Sequence, residues 1–479
     1  MKHPVSLALI GAGARGELNL AFLAARHPDL MRFTAVAELD DARRESFVQR
    51  FNIPKENAFR DWRELFDRPR LADAAVIALP CRMHYESGVA SLRAGYHTFL
   101  EKPMALTPGQ SVVLTREAES RGLLLMVALQ SRYNKIYTEM RRQMDAGVVG
   151  RLANIDCAEN IGYWHFLMSY VRGMHRRVDL SHSFMMAKGV HDMDLVCWFA
   201  GAPAKRVSSF GDLLFFRPEN APAGAPEFCM QGCPVFGSCE FNAYKQFVDP
   251  GKPDLPWRLL SGTSLTAVKD FFFNPRLRTL ASTLTHDINR ENVLKILQET
   301  SAGRCAFRSD NEVIDHQTVA VEFENNVVAS FHLTAFSLIW ERTLNLHGTK
   351  GEIRSADFSG RLETRTYNPG RVLRRRIRYH GIFHGGGDEK IIVRFAEALA
   401  TGDRSNVLTG AAPSLESHLV CFAAEQARRE GRVVDMREFR DEAGEEADGL
   451  QGRGSRARPI IRAGEHRPYR KRILPERPL

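Results

Sequence analysis

A glycine-rich loop near the start of the chain has the spacing of a dinucleotide-binding turn. Gly11, Gly13 and Gly16 follow the apolar residues 5–10, and residues 17–27 are apolar at helical spacing. Between a strand and a helix, the first glycine permits a tight turn, the second lets backbone amides approach a pyrophosphate, and the third lets the helix pack closely. Unpaired N–H groups and the dipole at the helix N-terminus favour the phosphates. The loop therefore predicts a nucleotide site.

An acidic residue, Glu38, follows the apolar residues 33–37, which we interpret as the second strand. In dinucleotide-binding units an acid about 20 residues after the loop meets the ribose hydroxyls. A carboxylate at this point repels the 2′-phosphate of NADP, so Glu38 favours NAD and makes NADP the weaker alternative. A glycine turn beside a surface acid would give the same residues, but the strand–loop–helix context argues against that interpretation.

The elements around this loop alternate between strand-like and helix-like patterns. The predicted strands are 5–10, 33–37, 74–79, 97–100 and 123–129, and the predicted helices are 17–27, 86–94 and 109–121. Such alternation is typical of an α/β fold with a doubly wound parallel sheet, which binds ligands at the carboxyl ends of its strands. We therefore expect an NAD-binding Rossmann domain over residues 1–127.

The chain from residue 128 to residue 438 is predicted to form a second, α+β domain. Strand-like runs at 318–323, 327–336 and 343–347 follow one another without helices, which favours an open, mostly antiparallel sheet. Predicted helices cover 135–146, 192–200, 388–401 and 412–429. We interpret residues 205–305 as an insertion that contains a cysteine cluster and helix-like stretches near 257–273 and 290–299.

The net charge of +9 is concentrated at the end of the chain, because residues 451–479 hold nine Lys or Arg against two Glu. We expect residues 439–479 to be a basic, unstructured tail, and we expect no nucleic-acid partner, since the body has no basic stripe interleaved with aromatic residues. The apolar stretch 123–129 is too short to span a membrane, and no signal-peptide pattern precedes the first strand. A cytoplasmic location without disulfides is therefore expected.

A triplet, Glu101-Lys102-Pro103, follows the predicted strand 97–100. Further motifs accompany this triplet in the sequence. They are the glycine loop, Leu79-Pro80 with His84, Arg132-Tyr133, and His191-x-x-Asp194. In these motifs the chain resembles the glucose–fructose oxidoreductase / inositol dehydrogenase / rhizopine-catabolism (Gfo/Idh/MocA) family, from residue 4 to about residue 435. That family consists mainly of NAD(P)-dependent enzymes acting on sugars, cyclitols and related polyols. The cysteine cluster and Lys188-x-x-His191 resemble one branch of it.

The resemblance implies a set of site residues on this chain. The implied cofactor-binding residues are Gly11, Gly13, Ala14, Arg15, Gly16, Glu38, Leu79, Pro80, His84, Glu101 and Lys102. The candidate catalytic residues are Lys102, Lys188 and His191, and the candidate substrate-binding residues are Arg132, Tyr133, Asp194 and His384. Two positions depart from the family pattern, since Ala187 stands where many members have Asp and Leu79 where Thr is common. Lys188 is our candidate to replace the missing polar partner of His191.

Oxidation of a secondary alcohol requires a base near the hydroxyl while the carbon gives up a hydride to the nicotinamide. His191 has the pKa range for that base, and Lys102 could polarise the oxygen or relay the proton. Burial beside a cofactor would lower the pKa of Lys102 toward a useful range. General acid–base help of this kind is worth roughly 100- to 10,000-fold in rate. We therefore expect an NAD-dependent oxidoreductase acting on a ring hydroxyl of a sugar, sugar derivative or cyclitol.

Two other functions stay open. A redox-assisted glycoside hydrolase, an activity known in this fold, would oxidise one hydroxyl transiently, eliminate the aglycone, add water and return the hydride. It needs a second base, for which Lys188, His316 and His384 are available. A non-enzymatic sugar or nucleotide sensor is disfavoured by the intact triplet and by His191. Because the open sheet of such second domains often pairs, we also expect a homodimer or homotetramer.

Three cysteines, Cys229, Cys233 and Cys239, lie within eleven residues, and a fourth, Cys305, follows the insertion. Four thiolates could hold a structural zinc ion that staples a loop-rich insertion, and an iron–sulfur cluster needs the same four ligands. The usual C-x2-C step of zinc fingers is absent, so free thiols are the other interpretation. The remaining cysteines sit in apolar patterns and are expected in the core.

Overall fold

The computed structural model describes residues 3–179, 181–248, 284, 289–378 and 384–454. The strands of the first sheet are β1 Val5–Ile10, β2 Met31–Ala37, β3 Ala58–Phe59, β4 Ala74–Ile77, β5 His97–Leu100 and β6 Leu125–Val127. They pair in parallel in the order β3-β2-β1-β4-β5-β6. The helices of this part are a π-helical turn Gly16–Ala21 that runs into α1 Phe22–Ala24, then α2 Asp41–Phe51, α3 Trp62–Phe66, α4 His84–Arg93 and α5 Pro108–Ser120.

The strand order explains why separate sequence motifs meet. The strands β2, β1, β4 and β5 are neighbours, and their buried, near-continuous apolar runs suit a sheet covered on both faces. The glycine loop follows β1, Glu38 follows β2, Leu79 follows β4 and Glu101 follows β5. Because the strands are parallel, all four carboxyl ends lie at one edge of the sheet, where doubly wound folds bind ligands.

The second sheet contains β7 Leu152–Gly162, β8 Ala204–Asp212, β9 His316–Phe323, β10 Val328–Ser337, β11 Glu341–Gly348, β12 Gly351–Ala356, β13 Arg361–Thr366, β14 Arg371–Arg376 and β15 Val434–Asp435. Its order is β14-β13-β12-β11-β7-β10-β9-β8-β15. Among the described strands, β7 and β10 pair in parallel and the other neighbours are antiparallel. The predicted fold class, a parallel Rossmann sheet followed by an open and mostly antiparallel sheet, is confirmed.

The central strand β7 is not among the predicted strands. Its buried residues Ile155, Cys157 and Ile161 alternate with polar positions such as Asp156 and Asn160, which makes the apolar pattern weak. The strand is stabilised by pairing with β10 on one side and β11 on the other, and both partners come from much later in the chain. Local residues alone therefore do not reveal it.

Further helices lie in the second part of the chain. They are α6 Lys135–Asp145, α7 Tyr163–Phe166, α8 Val190–Ala200, α9 Ala243–Phe247, α10 Arg290–Glu299, α11 Gly387–Thr401, α12 Ala411–Glu430 and α13 Met436–Gly454. Helix α12 contacts β8 and α8 of the second part and α5 of the first, so it joins the two sheets. The helix-like stretch 257–273 lies outside the described residues. None of the helices described here combines the length and apolar character needed to cross a membrane.

The expectation of an unstructured tail from residue 439 is wrong for its first part, because α13 extends to Gly454. Phe439, Ala443 and Ala447 recur every four residues and are buried on one face of this helix. The helix packs on α5, and the Glu446 carboxylate accepts hydrogen bonds from the Thr107 hydroxyl and the Gly109 amide at the start of α5. This apolar stripe overrides the polar composition that favoured disorder. Residues 455–479 lie outside the described residues.

Candidate active site

The glycine loop after β1 is crowded at its ends and open in its middle. Gly11 has a φ of +92°, and a Cβ on it would lie 2.8 Å from the Ala78 carbonyl oxygen. A Cβ on Gly16 would lie 1.9 Å from the Gly11 carbonyl oxygen, so a side chain is excluded there. A Cβ on Gly13, in contrast, would have its nearest neighbour at 3.8 Å. The loop is therefore open where a pyrophosphate would approach the backbone.

Glu38 lies directly beside this loop. Its Oε2 accepts a hydrogen bond from the Ala12 amide at 2.7 Å, and its Oε1 accepts one from the Asp40 amide at 3.0 Å. The acid at the end of β2 and the amides after β1 thus form one continuous polar edge. This is the arrangement that an NAD-binding unit needs, so the residues fit the cofactor that the sequence predicts.

Arg15, which also lies in the loop, contacts acidic residues from two other parts of the chain. Its Nε donates to the Glu101 carboxylate, and its Nη2 lies 2.7 Å from Oδ1 of Asp388. Burial would lower the pKa of Arg15, but the two carboxylates raise it above its ordinary value. Asp388 stands in the first turn of α11, after Gly385 and Gly386, which both have a positive φ. The glycine-rich turn before α11 therefore brings a carboxylate to the dinucleotide loop.

Two buried histidines hold the Glu-Lys-Pro triplet from opposite sides. His84 approaches the Pro103 carbonyl oxygen with Nδ1 at 2.6 Å and the Leu79 carbonyl oxygen with Nε2 at 2.8 Å. On the other side, Nε2 of His418 accepts the Met104 amide at 3.0 Å. Burial lowers the pKa of both, that of His418 to about 4. They position the loops after β4 and β5, and a direct contact of His84 with the cofactor stays a prediction.

Lys102, the middle residue of the triplet, reaches into the second part of the chain. Its Nζ donates a hydrogen bond to the Ala187 carbonyl at 2.6 Å. Ala187 lies in the π-helical turn Met185–Gly189, four residues before His191 in the first turn of α8, where the imidazole is buried. Burial lowers the pKa of Lys102, and the positive charges of Lys188 and Arg15 lower it further. Lys102 thus contacts the helical turn that precedes His191.

Lys188 is held by a carboxylate and an aromatic ring. Its Nζ lies 3.1 Å from Oε1 of Glu159 and 3.9 Å from the ring centroid of Trp340. Trp340 in turn donates its indole N–H to Glu159 at 2.7 Å, and Arg342 lies 2.9 Å from the other carboxylate oxygen. Burial would raise the pKa of Glu159, but Arg342 and Lys188 hold it below its ordinary value.

The sequence did not lead us to Glu159 or Trp340 as site residues, although the residue pattern of β7 contains an indication for Glu159. Glu159 alternates along β7 with the same spacing as Ile155, Cys157 and Ile161, so it faces the same side of the sheet. All four residues are buried. An acid on the buried side of a strand is rare without a partner, because an isolated buried charge is costly. Such an acid therefore points to a buried cation such as Lys188. Trp340 lies in the connection between β10 and β11 and shows no comparable pattern.

Two further histidines that the sequence did not single out lie near the lysines. Burial lowers the pKa of His165 to about 3, with further lowering from Lys188, His175 and Lys102. Burial also lowers the pKa of His175 to about 4, with a contribution from Lys102. His165 stacks on Trp340 with ring centroids 4.6 Å apart, while His175 lies 2.5 Å from the Ser181 hydroxyl. The site therefore holds neutral imidazoles beside two lysines.

Three candidate substrate-binding residues form hydrogen bonds within the protein, namely Arg132, Asp194 and Tyr133. The Arg132 guanidinium forms two hydrogen bonds to the Asp194 carboxylate, at 2.7 Å and 2.6 Å, and a third to the Leu408 carbonyl. Both charged side chains are buried. The Tyr133 hydroxyl accepts the Leu408 amide, and burial raises its pKa to about 12. These polar atoms bind one another and the segment before α12, and the substrate-binding role of the three residues stays a prediction.

The last predicted residues are His384 and the four cysteines. His384 begins the short turn His384–Gly386, and its substrate contact stays a prediction. Cys229, Cys233, Cys239 and Cys305 all line one cavity. In the described part of the chain, no three His, Cys, Asp or Glu side chains are arranged so that they could hold a metal ion as they stand. The cysteines therefore come together, as the spacing suggested, but not in the geometry of a single bound ion.

Comparison with known proteins finds a family match for the N-terminal part of the chain. Residues 5–129 match the Gfo/Idh/MocA model, described as an oxidoreductase family with an NAD-binding Rossmann fold. The chain is 23% identical to YteT of Bacillus subtilis (strain 168) over 387 residues, which cover 77% of this chain and 82% of that protein. It is 24% identical to the scyllo-inositol 2-dehydrogenase (NAD(+)) of the same organism over 45% of this chain, and this match spans 59% of that enzyme, less than two thirds of its length.

Among solved structures, a levoglucosan dehydrogenase in complex with NADH and levoglucosan has a similar fold. The TM-score is 0.63 at 17% sequence identity, and the match covers 90% of this chain and 99% of that one. The shared fold extends over both sheets, whereas the family model matches the part that carries the glycine loop, Glu38 and the Glu-Lys-Pro triplet. The N-terminal Rossmann domain thus matches the Gfo/Idh/MocA family of oxidoreductases, and the chain as a whole is similar in fold to solved oxidoreductases.

Proposed function

We propose that the chain is an NAD-dependent dehydrogenase acting on a ring hydroxyl of a sugar, sugar derivative or cyclitol. The observation that carries the proposal is the 2.6 Å hydrogen bond from Lys102 to the Ala187 carbonyl. It joins the end of β5, where the nicotinamide half of a dinucleotide is expected, to the helical segment that bears Lys188 and His191. When bound, NAD supplies the hydride acceptor.

In this proposal the chain's own residues handle the proton and the orientation of the substrate. His191 and Lys102 remove the proton from the reacting hydroxyl, and burial, which lowers the pKa of Lys102, supports a role as proton relay. Lys188, held by Glu159, orients a neighbouring hydroxyl as a charged hydrogen-bond donor. The two dehydrogenases named above act on an inositol and on levoglucosan, both polyhydroxylated rings, which agrees with this substrate class.

We propose NAD rather than NADP as the cofactor. The support is the Glu38 carboxylate, whose Oε2 accepts the Ala12 amide beside the expected ribose position. A 2′-phosphate at that position would meet a negative charge.

A single assay tests the dehydrogenase. The purified protein is incubated with NAD or NADP and a panel of inositols, sugars, sugar acids and glycosides, and both the reduced cofactor and the released free sugar are measured. We expect reduced cofactor in proportion to oxidised substrate, with NAD preferred. The absence of turnover with every polyol would contradict the proposal.

The second candidate function, a redox-assisted glycoside hydrolase, is favoured by one observation. This route needs a second base to take a proton from carbon, and His165 and His175 are neutral imidazoles close to the two lysines. Neither is among the bases that the sequence suggested, which were Lys188, His316 and His384. The same assay separates the two functions, because the hydrolase releases free sugar from a glycoside without accumulating NADH.

We also propose that the chain forms a homodimer or homotetramer through its second sheet. Several large apolar residues at or next to its strands are exposed, among them Phe210, Phe336 and Leu338. Exposed apolar area of this kind often marks an interface. Light scattering after gel filtration should give a multiple of the 54.0 kDa chain mass, and a monomer would contradict the proposal. The cytoplasmic location stays a prediction.

A further inference from the structure

The four clustered cysteines are drawn together by the backbone of two separate segments. Phe228 and Arg304 form an antiparallel bridge, and the amides of Cys229 and Cys305 donate to the Gly303 and Glu227 carbonyls at 3.0 Å and 2.8 Å. Cys229 and Cys305 therefore lie on adjacent extended segments, although 75 residues separate Cys229 from Arg304. The sequence alone could not show this pairing.

The other two thiols reach the same place through tight turns. The Phe236 amide donates to the Cys233 carbonyl, and the Cys239 amide donates to the Val235 carbonyl. All four cysteines then line one cavity, whose other walls are mainly apolar and include Phe241 and Phe307. All four are free thiols.

A buried arginine stands against this cavity without a charged acceptor among its hydrogen bonds. Arg172 is 1% exposed, and its guanidinium donates to the Arg304 and Phe241 carbonyls and to the Gln246 amide oxygen. Its remaining contact is the Cys229 sulfur, at 4.0 Å. Burial lowers the pKa of Arg172, and the groups that oppose this shift are the thiols of Cys229, Cys305 and Cys239.

Among the described residues, none of the hydrogen-bond acceptors of Arg172 is a carboxylate. Burying a cation among neutral groups is costly unless an anion compensates it. Four thiolates around a divalent zinc ion, or around an oxidised iron–sulfur cluster, carry a net charge of roughly −2. Such a centre beside Arg172 would supply the missing anion. It would also staple a segment whose own buried apolar cluster is small, comprising Cys229, Ala243, Phe247, Val293, Leu297 and Ala302.

We propose that Cys229, Cys233, Cys239 and Cys305 bind a thiolate-ligated metal centre in this cavity, with Arg172 compensating its charge. On binding, each thiol gives its proton to solvent and donates an electron pair to the metal. As they stand, the thiols surround the cavity instead of converging on one point. A cluster would span that space, whereas a single zinc ion would draw the side chains inward, and metal analysis distinguishes the two. The proposal is independent of the proposed enzymatic function.

The first test is the metal content of the unmodified full-length protein, purified without air and without added metal. We expect about one zinc per chain, or iron with a matching amount of acid-labile sulfide, because structural thiolate sites bind tightly. Less than about 0.1 of either metal per chain would overturn the proposal. Disulfides among the four cysteines in the freshly isolated protein would overturn it as well.

Variants locate the centre. Cys233→Ser changes a half-buried thiol with little risk to folding, and it should lower the metal content at least several-fold, as should Cys305→Ser. Cys421→Ala, a buried cysteine of α12 that does not line the cavity, is the matched control and should retain the metal. Unchanged metal content in Cys233→Ser and Cys305→Ser would contradict the assignment. The metal readout does not depend on activity, so it stands whether or not a substrate is found.

Discussion

The ammonium group of Lys188 lies 3.1 Å from the carboxylate of Glu159, and both side chains are buried. Glu159 lies on β7, and the positive charge of Lys188 helps to hold the pKa of this carboxylate below its ordinary value. That positive charge acts in turn on Lys102, whose pKa is lowered by burial first and by Lys188 and Arg15 in addition. An acid from a different element thus pairs with Lys188, the residue next to Ala187, where many members of the family have Asp.

The first prediction concerns pH dependence. If Lys102 accepts a proton during turnover, activity rises with pH as Lys102 loses its own proton. Lys188→Met removes a nearby positive charge and therefore raises the pKa of Lys102, so the rising limb of the pH profile should move to higher pH. The pH dependence of kcat/KM measures this shift. Lys188→Arg keeps the charge and should leave the limb in place, and a limb that moves to lower pH would contradict the assignment.

Lys102→Met should abolish most turnover without unfolding the protein. Loss of a general acid–base group typically costs about 100- to 10,000-fold in rate. The side chain donates a hydrogen bond to a backbone carbonyl and forms no ion pair with a carboxylate of the described residues, so the melting temperature should change little. Lys55→Met, an exposed lysine of the same domain, is the control. Near wild-type kcat in Lys102→Met would show that the proposed mechanism is wrong.

Glu38 should determine the choice of cofactor. Glu38→Gln keeps the size of the side chain and an acceptor for the Ala12 amide but removes the charge, so repulsion of a 2′-phosphate disappears. The ratio of kcat/KM for NADP to that for NAD should rise by about tenfold or more, equivalent to about 1.4 kcal/mol. Asp41→Asn, at an exposed acid of the same region, should leave the ratio unchanged.

The predicted site residues that the structure brings to one edge are those that follow adjacent strands of the parallel sheet. Gly13, Glu38 and Lys102 each follow a strand, and the alternation of strands and helices fixes the common edge at which those strands end. Lys188 and Glu159 meet only because β7 pairs with β10 and β11, a long-range arrangement that local patterns do not specify.

The same limit applies to the contacts that Arg132 makes within the protein. An arginine and an acid near a predicted pocket have the residue types of sugar ligands, and the sequence does not show that they bind each other across 62 positions. For the C-terminal region, the prediction of an unstructured tail rested on the polar composition of residues 439–479. It overlooked the four-residue spacing of Phe439, Ala443 and Ala447, which is typical of an amphipathic helix.

The Arg132–Asp194 pair should contribute to stability and not to substrate binding. Removing one partner of a buried, hydrogen-bonded pair costs about 3–5 kcal/mol, because the other charge is left buried and unpaired. Arg132→Met should lower the free energy of unfolding in urea by that amount, while KM of the remaining folded enzyme stays within about twofold. The double variant Arg132→Met/Asp194→Leu should recover part of the loss. A large rise in KM with unchanged stability would restore the substrate-binding role.

Helix α13 should be part of the folded unit, whereas the chain beyond it should not be needed for stability. A chain ending at residue 454 keeps Phe439, Ala443 and Ala447 on α5 and keeps the Glu446 contacts with Thr107 and Gly109. Its melting temperature should equal that of the full chain. A chain ending at residue 435 exposes the apolar face of α5 and should melt several degrees lower, since burying even one large apolar side chain is worth about 1.5–3 kcal/mol. Phe439→Ala in the full chain gives the same test by a smaller change. Equal melting temperatures for the two truncated chains would mean that α13 does not stabilise the Rossmann domain.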